Sequence, residues 1–188
     1  MNIRFRLTIG SLFILAGILV GFEPIFHYTQ QLTAHASSTS TSDYKVSESP
    51  RIEGEPVRIV VPSAGIDLQV ERGYYNANQL TWTLSNTKAS YAVMTPQSNN
   101  KGGNTFIYGH NTAEVFSKLT DMPSDAEAIV YTTNGHQFTY RLARTDVVKP
   151  HMTGFLQYEG PPILTLQTCS GTWYENRSLF TFNLQDAI

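Results

Sequence analysis

The stretch AEAIVYTTNGHQFTYRLARTDVV, residues 126–148, constrains the fold more than any other part of the chain. Two runs rich in β-branched and aromatic residues flank Asn134-Gly135, the dipeptide that most strongly marks a tight β-hairpin. Further strand-like runs accompany it. PVRIVVPSAGIDLQV holds two short strands, Val57–Val61 and Ile66–Val70, with a turn at Ser63-Ala64-Gly65. GNTFIYGHN gives a strand over Asn104–Tyr108, QLTWTL adds a short one, and PILTLQT and SLFTFNL supply two more. TAEVFSKL has helical spacing, with Thr112 as its amino-terminal cap. Six to eight strands and one short helix predict an all-β fold closed, or nearly closed, into a barrel.

Composition agrees. Of the 188 residues 41% are hydrophobic, 12% aromatic and 15% charged, a β-rich globular balance and not a disordered one. The formal net charge is −2 and no Lys/Arg run is present, which excludes nucleic acid as a partner.

The first residues follow a different rule. Arg4 and Arg6 precede an uncharged apolar run from Leu7 to Phe22, closed by Glu23 and Pro24 and extended by Ile25 and Phe26. Its length lies between a signal-peptide core and a spanning helix, and the arginines favour a cytoplasmic amino terminus. We read residues 1–28 as an uncleaved signal anchor, a single-pass transmembrane helix that leaves the remaining chain outside the cell. The alternative is cleavage at Ala34-His35-Ala36. Residues 29–54, rich in Ser and Thr, read as a flexible tether. The domain proper is expected over residues 55–188.

Cys169 is the only cysteine, so it has no intramolecular disulfide partner. A lone cysteine is as readily a small buried hydrophobe as a nucleophile. Strand parity separates the two. In ILTLQTC, Leu164 and Leu166 share one face, while Thr165, Gln167 and Cys169 share the other. The sulfur therefore belongs to the polar side. In RSLFTFNL, Arg177 has the parity opposite to Phe180, Phe182 and Leu184, which suits either a guanidinium facing an anionic intermediate or a solvated strand end.

A thiol with an ordinary pKa near 8.5 needs a base or a cation beside it to act as a nucleophile. Of the five histidines, His27 and His35 lie in the anchor and tether, and His136 follows the hairpin turn. His110 stands at a strand end in YGHNT, behind Gly109, and ranks first; His151, in a loop after Pro150, ranks second. Glu114 and Asp121 read as a solvated face, so no metal site is expected.

These residues resemble those of the sortases. TLQTC fits the family's Thr-Leu-x-Thr-Cys signature, Arg177 follows Cys169 by eight positions at the start of the next strand, and FIYGHN is similar to the segment that carries the sortase histidine. The order His, Cys, Arg behind a membrane anchor is the family's order, and the resemblance covers roughly residues 55–188.

The resemblance implies an eight-stranded β-barrel with one or two short helices and a cofactor-free cysteine transpeptidase. In it Cys169 attacks the carbonyl of a Leu-Pro-x-Thr-Gly-like sorting peptide to form a thioacyl-enzyme. His110 serves as acid and base, and Arg177 stabilises the oxyanion. An amine from a peptidoglycan cross-bridge or a pilin lysine resolves the thioester.

Thr168 either contacts the substrate or is a plain strand residue. Asn111 either orients the imidazole or starts the helix. Trp173, with Tyr174, either lines the groove or covers the barrel edge. The stretch 148–162 stands where sortases place a specificity loop, too short for the class B helix and closer to the compact class D, E or F. Two rivals stay open on the residues alone: a non-catalytic barrel that binds peptide or glycan, and a hydrolytic cysteine peptidase.

Overall fold

The computed structural model describes residues 50–188 except Ala77 and Leu80. The anchor expected at 1–28 and the tether through residue 49 lie outside the described residues. Within them, no helix is long and apolar enough to cross a membrane.

Eight strands close a barrel. In chain order they are β1 (Pro56–Val61), β2 (Ile66–Gly73), β3 (Ala89–Ala92), β4 (Asn104–Tyr108), β5 (Glu127–Thr132), β6 (Gln137–Val148), β7 (Ile163–Ser170) and β8 (Asn176–Ala187). Around the barrel the order is β6-β8-β7-β4-β3-β2-β1-β5, and β5 returns to β6. The β7–β4 and β2–β3 pairs are parallel and the others antiparallel. Closure leaves no exposed sheet edge, the usual liability of an all-β chain.

The expected Asn-Gly hairpin is the β5–β6 connection. Around its turn the Asn134 side chain bonds the Thr132 hydroxyl at 2.8 Å and donates to the Glu53 carbonyl at 2.8 Å. Residues 50–54, which the sequence assigns to the tether, are thus fixed to the barrel: Glu53–Gly54 also pairs with Ser98–Asn99, and Asn100 bonds the backbone of Ile52 and Pro50.

Alternation fills the interior. Ile59, Val61, Val130, Phe138, Tyr140, Leu164, Leu166, Phe180 and Phe182 point inward, with Ile107 from β4. A second apolar cluster lies on the outer face: Phe106 and Tyr108 of β4, Ala92 and Leu179, covered by Trp82, Val148, Phe155 and Leu156.

Two local expectations change. Residues 112–119 do not form an α-helix. They make a turn followed by a single 3-10 segment, Ser117–Asp121, which buries Leu119 and has no side-chain cap. A helix this short cannot repay its nucleation cost without tertiary contacts, and here Val115, Phe116 and Leu119 are pulled into the core in turn geometry instead. The QLTWTL strand exists only as Thr81–Trp82, which pairs with Tyr75–Asn76 in a small ribbon outside the barrel. The eighth barrel strand is Ala89–Ala92, whose four residues are all buried and so carry no alternation to read.

Candidate active site

The site is built on three neighbouring strands. In the parallel β4–β7 pair Tyr108 lies opposite Gln167, and the Gly109 amide extends the ladder by donating to the Gln167 carbonyl at 3.1 Å. His110 follows two residues after Tyr108 and Cys169 two residues after Gln167, and both line the same groove. In the antiparallel β7–β8 pair Cys169 lies opposite Arg177. The cysteine and arginine are thus cross-strand partners at the end of the sheet, and the histidine follows the end of the strand on the cysteine's other side.

Parity points Cys169 outward. Thr168 is fully buried while its neighbours Gln167 and Cys169 are half-buried, so the sulfur is not sealed among the core leucines and phenylalanines. His110, Cys169 and Arg177 all line one groove of roughly 680 Å³ on the outer wall. Its floor is the outer face of β4 and β7: Phe106, Tyr108 and Gln167. One side is the ribbon that carries Tyr75, Trp82 and Leu84, and the other is the β6–β7 loop, with His151, Met152, Phe155 and Leu156. Among the described residues no Asp or Glu lines the groove, whereas His110, His151 and Arg177 do.

The backbone around His110 is held from three directions. The Thr168 hydroxyl donates to the Gly109 carbonyl at 3.0 Å, the Gly109 amide bonds Gln167, and the Phe116 amide donates to the His110 carbonyl at 3.1 Å. Gly109 is required here, because a Cβ would sit 2.6 Å from Val115 Cγ1 and 3.1 Å from the Phe116 ring. The turn after β4 folds back over that glycine and fixes the histidine at the strand end.

Arg177 is anchored by its own loop. Its Nη1 donates to the carbonyls of Tyr174 and Asn176, both at 2.9 Å. No carboxylate pairs with it among the described residues. Every other described arginine does have one: Arg51 with Glu53, Arg58 with Asp67, Arg72 with Glu55, Arg141 with Glu127 and Arg144 with Asp146. The guanidinium of Arg177 keeps donors free beside the sulfur.

The first- and second-ranked histidines, His110 and His151, both reach the groove. His136 is outside it, its Nδ1 3.3 Å from the Ile188 carbonyl at the far end of β6. Three secondary residues are not brought to the groove. Thr168 is buried and donates its hydroxyl to the Gly109 carbonyl, away from the groove lining. Asn111 lies in the turn after His110, makes no side-chain hydrogen bond among the described residues and begins no α-helix. Trp173 is 85% exposed in the β7–β8 loop, where its amide donates to Glu175. The sequence reading missed Trp82, Phe106, Tyr108 and Phe155. Only the even parity that Phe106 and Tyr108 share with His110 pointed to them.

The sortase-domain family model matches residues 59–183, from the middle of β1 to the middle of β8. The chain belongs to the sortase family. Solved sortases of several classes share the barrel. Sortase C-1 of Actinomyces oris matches with a TM-score of 0.57 at 23% identity, covering 70% of this chain and 76% of that one. Sortase E1 of Streptomyces coelicolor matches with a TM-score of 0.57 at 17% identity, over 72% and 90% of the two chains. Sortase A of Listeria monocytogenes matches with a TM-score of 0.54 at 20% identity, over 70% and 88%. No curated protein matches the chain by sequence. Membership implies cysteine transpeptidase activity and an eight-stranded barrel, and the barrel is present. Among the described residues of this sortase, no group of three or more His, Cys, Asp or Glu residues could hold a metal ion.

Proposed function

We propose that this sortase is a membrane-anchored transpeptidase that cleaves a Leu-Pro-x-Thr-Gly-like sorting signal and transfers the upstream protein to a cell-wall or pilin amine outside the cell. The observation that carries this reading is the gathering of His110, Cys169 and Arg177 in the lining of one groove, with Cys169 and Arg177 paired across adjacent strands.

Cys169 Sγ attacks the carbonyl carbon of the scissile peptide bond. The carbon becomes tetrahedral and its oxygen takes the negative charge. Arg177, with free donors and no competing carboxylate, is placed to hold that charge. His110 in its imidazolium form gives a proton to the departing amine as the carbon–nitrogen bond breaks, leaving a thioester. The neutral imidazole then takes a proton from the incoming amine, which attacks the thioester and expels the sulfur as thiolate, so the thiolate–imidazolium pair is restored. Cys169 and the catalytic histidine thus end each cycle as they began it.

The apolar floor and walls suit an extended peptide without acidic or basic side chains near the scissile bond. The Streptomyces coelicolor sortase E1 structure holds a tripeptide in its active site, which supports a peptide-binding role for the corresponding groove. The short β6–β7 loop, with one 3-10 turn at Gly154–Gln157, supports the compact class D, E or F assignment. The anchor at residues 1–28 rests on the sequence alone.

The test is intact-mass analysis of the full chain in detergent after incubation with a small set of sorting peptides, with and without an added amine. A thioacyl adduct that is discharged to the amine is expected, and Cys169→Ala abolishes it. Discharge to water alone, unchanged by amine, overturns transpeptidation in favour of a peptidase. No adduct with any peptide, at a thiol that still reacts with iodoacetamide, overturns the enzyme reading.

A further inference from the structure

The ribbon between β2 and β3 is outside the barrel, yet it supplies one wall of the groove. Its central residue is Trp82. The indole packs against Tyr75 on one side, with ring centroids 5.3 Å apart, and against Tyr108 on the other, at 5.0 Å and edge-on. Pairs at these separations are attractive beyond their buried area. Tyr108 is itself buried. Its ring belongs to the outer apolar cluster, its hydroxyl is 3.4 Å from the Thr83 hydroxyl, and Gly73 leaves room for that hydroxyl where any Cβ would collide with it. Burial raises the Tyr108 phenol above its ordinary pKa, so it stays neutral. The two arms of the ribbon are joined at its base by the Thr83 amide donating to the Tyr74 carbonyl, at 3.0 Å, and the Tyr74 amide donating to the Thr83 hydroxyl, at 2.8 Å.

Trp82 is half-buried with its free side on the groove. It faces a floor residue, Tyr108, two positions before His110, and a β6–β7 loop that contributes Phe155 and Leu156. A peptide whose carbonyl lies at Cys169 occupies a groove walled by this indole and that loop. We infer that Trp82 is a specificity-determining residue: its fixed indole limits the size of the apolar side chain that the bound peptide carries upstream of the attacked carbonyl. A bulky wall rejects by steric exclusion, and the packing of Tyr75 and Tyr108 against the indole holds it at the groove. On this inference aliphatic side chains are accepted and aromatic ones excluded.

The inference rests on the transpeptidase reading, and its test separates the two. Two synthetic peptides are used, Leu-Pro-Ala-Thr-Gly and Phe-Pro-Ala-Thr-Gly. Acylation rates are read by intact mass on the full chain as wild type, Trp82→Ala and Trp82→Phe, with melting temperature measured alongside. The wild type is expected to prefer the leucine peptide. Trp82→Ala is expected to shift the ratio of kcat/KM toward the phenylalanine peptide by about tenfold or more, the scale on which an apolar pocket discriminates by size. Trp82→Phe keeps the packing with less bulk and gives an intermediate shift. Equal loss on both peptides, or an unchanged ratio in both variants, overturns the role of Trp82 and leaves the transpeptidase reading standing. Absence of any wild-type adduct with either peptide overturns the inference together with the transpeptidase reading.

Discussion

At the scale of single residues, the decisive contrast is between Arg177 and the other arginines. A strand-end arginine is ordinarily solvated or paired, and pairing is what the structure gives Arg51, Arg58, Arg72, Arg141 and Arg144. Arg177 instead uses one nitrogen to grip two carbonyls of its own loop. That leaves a planar fork oriented beside Cys169. Lysine carries the same charge, but it cannot hold the two carbonyls and face an oxyanion in fixed geometry at once. Arg177→Lys is therefore expected to lower kcat/KM on a sorting peptide by about a hundredfold, the size of effect seen when one oxyanion donor is removed. Its melting temperature should stay near that of the wild type. Single-turnover acylation measures the first and calorimetry the second; near-normal acylation in this variant removes Arg177 from the mechanism.

At the scale of elements, the sequence was most legible where one face of a strand is buried and the other is wet. The β5–β6 hairpin, both strands around Cys169 and Arg177, and the outward parity of the sulfur and guanidinium all follow from period-two alternation. It failed where that contrast vanishes. β3, Ala-Ser-Tyr-Ala, is buried throughout, and the Thr81–Trp82 pair is too short for any period. The 112–119 stretch has apolar residues at helical spacing, but a turn delivers the same side chains to the core. Thr168 is the instructive case, since its chemistry invites a substrate role while its inward parity assigns it to the joint between β7 and β4. Replacing its hydroxyl leaves the Gly109 carbonyl without a partner in a dry setting. Thr168→Val is expected to cost about 1–3 kcal/mol of stability and, by loosening the histidine that follows Gly109, to lower kcat more than it raises KM. Chemical denaturation and steady-state kinetics on the same preparation check both. A variant that loses stability but keeps kcat would limit Thr168 to the fold.

At the scale of the whole molecule, a closed barrel has no edge to fray, so its tolerance of acid depends on what ties the strand ends together. The Glu55–Arg72 pair is the strongest such tie: it joins the residue before β1 to the end of β2, and the carboxylate is only 17% exposed. The hydrogen bond from Arg72, against a smaller opposing effect of burial, holds Glu55 below its ordinary value of 4.5. Asp67, bonded to Arg58, and Glu175, bonded by backbone amides in the β7–β8 loop, are lowered as well, although both are open to solvent. The sign follows from linkage. A carboxyl with a folded pKa below its unfolded one contributes stability that is complete above the unfolded value and is lost as pH falls through the folded one. The melting temperature is therefore expected to be level near neutrality and to drop on acidification below about pH 4.5. Glu55→Gln should already be less stable at pH 7, should show a shallower acid drop, and should converge on the wild type at the lowest pH. Because Arg72 is 61% exposed, salt should narrow the difference between the two at neutral pH. If Glu55→Gln and the wild type instead ran parallel from pH 7 to pH 3, the tie between β1 and β2 would not be what acid breaks, and the loss would lie with carboxylates elsewhere on the barrel.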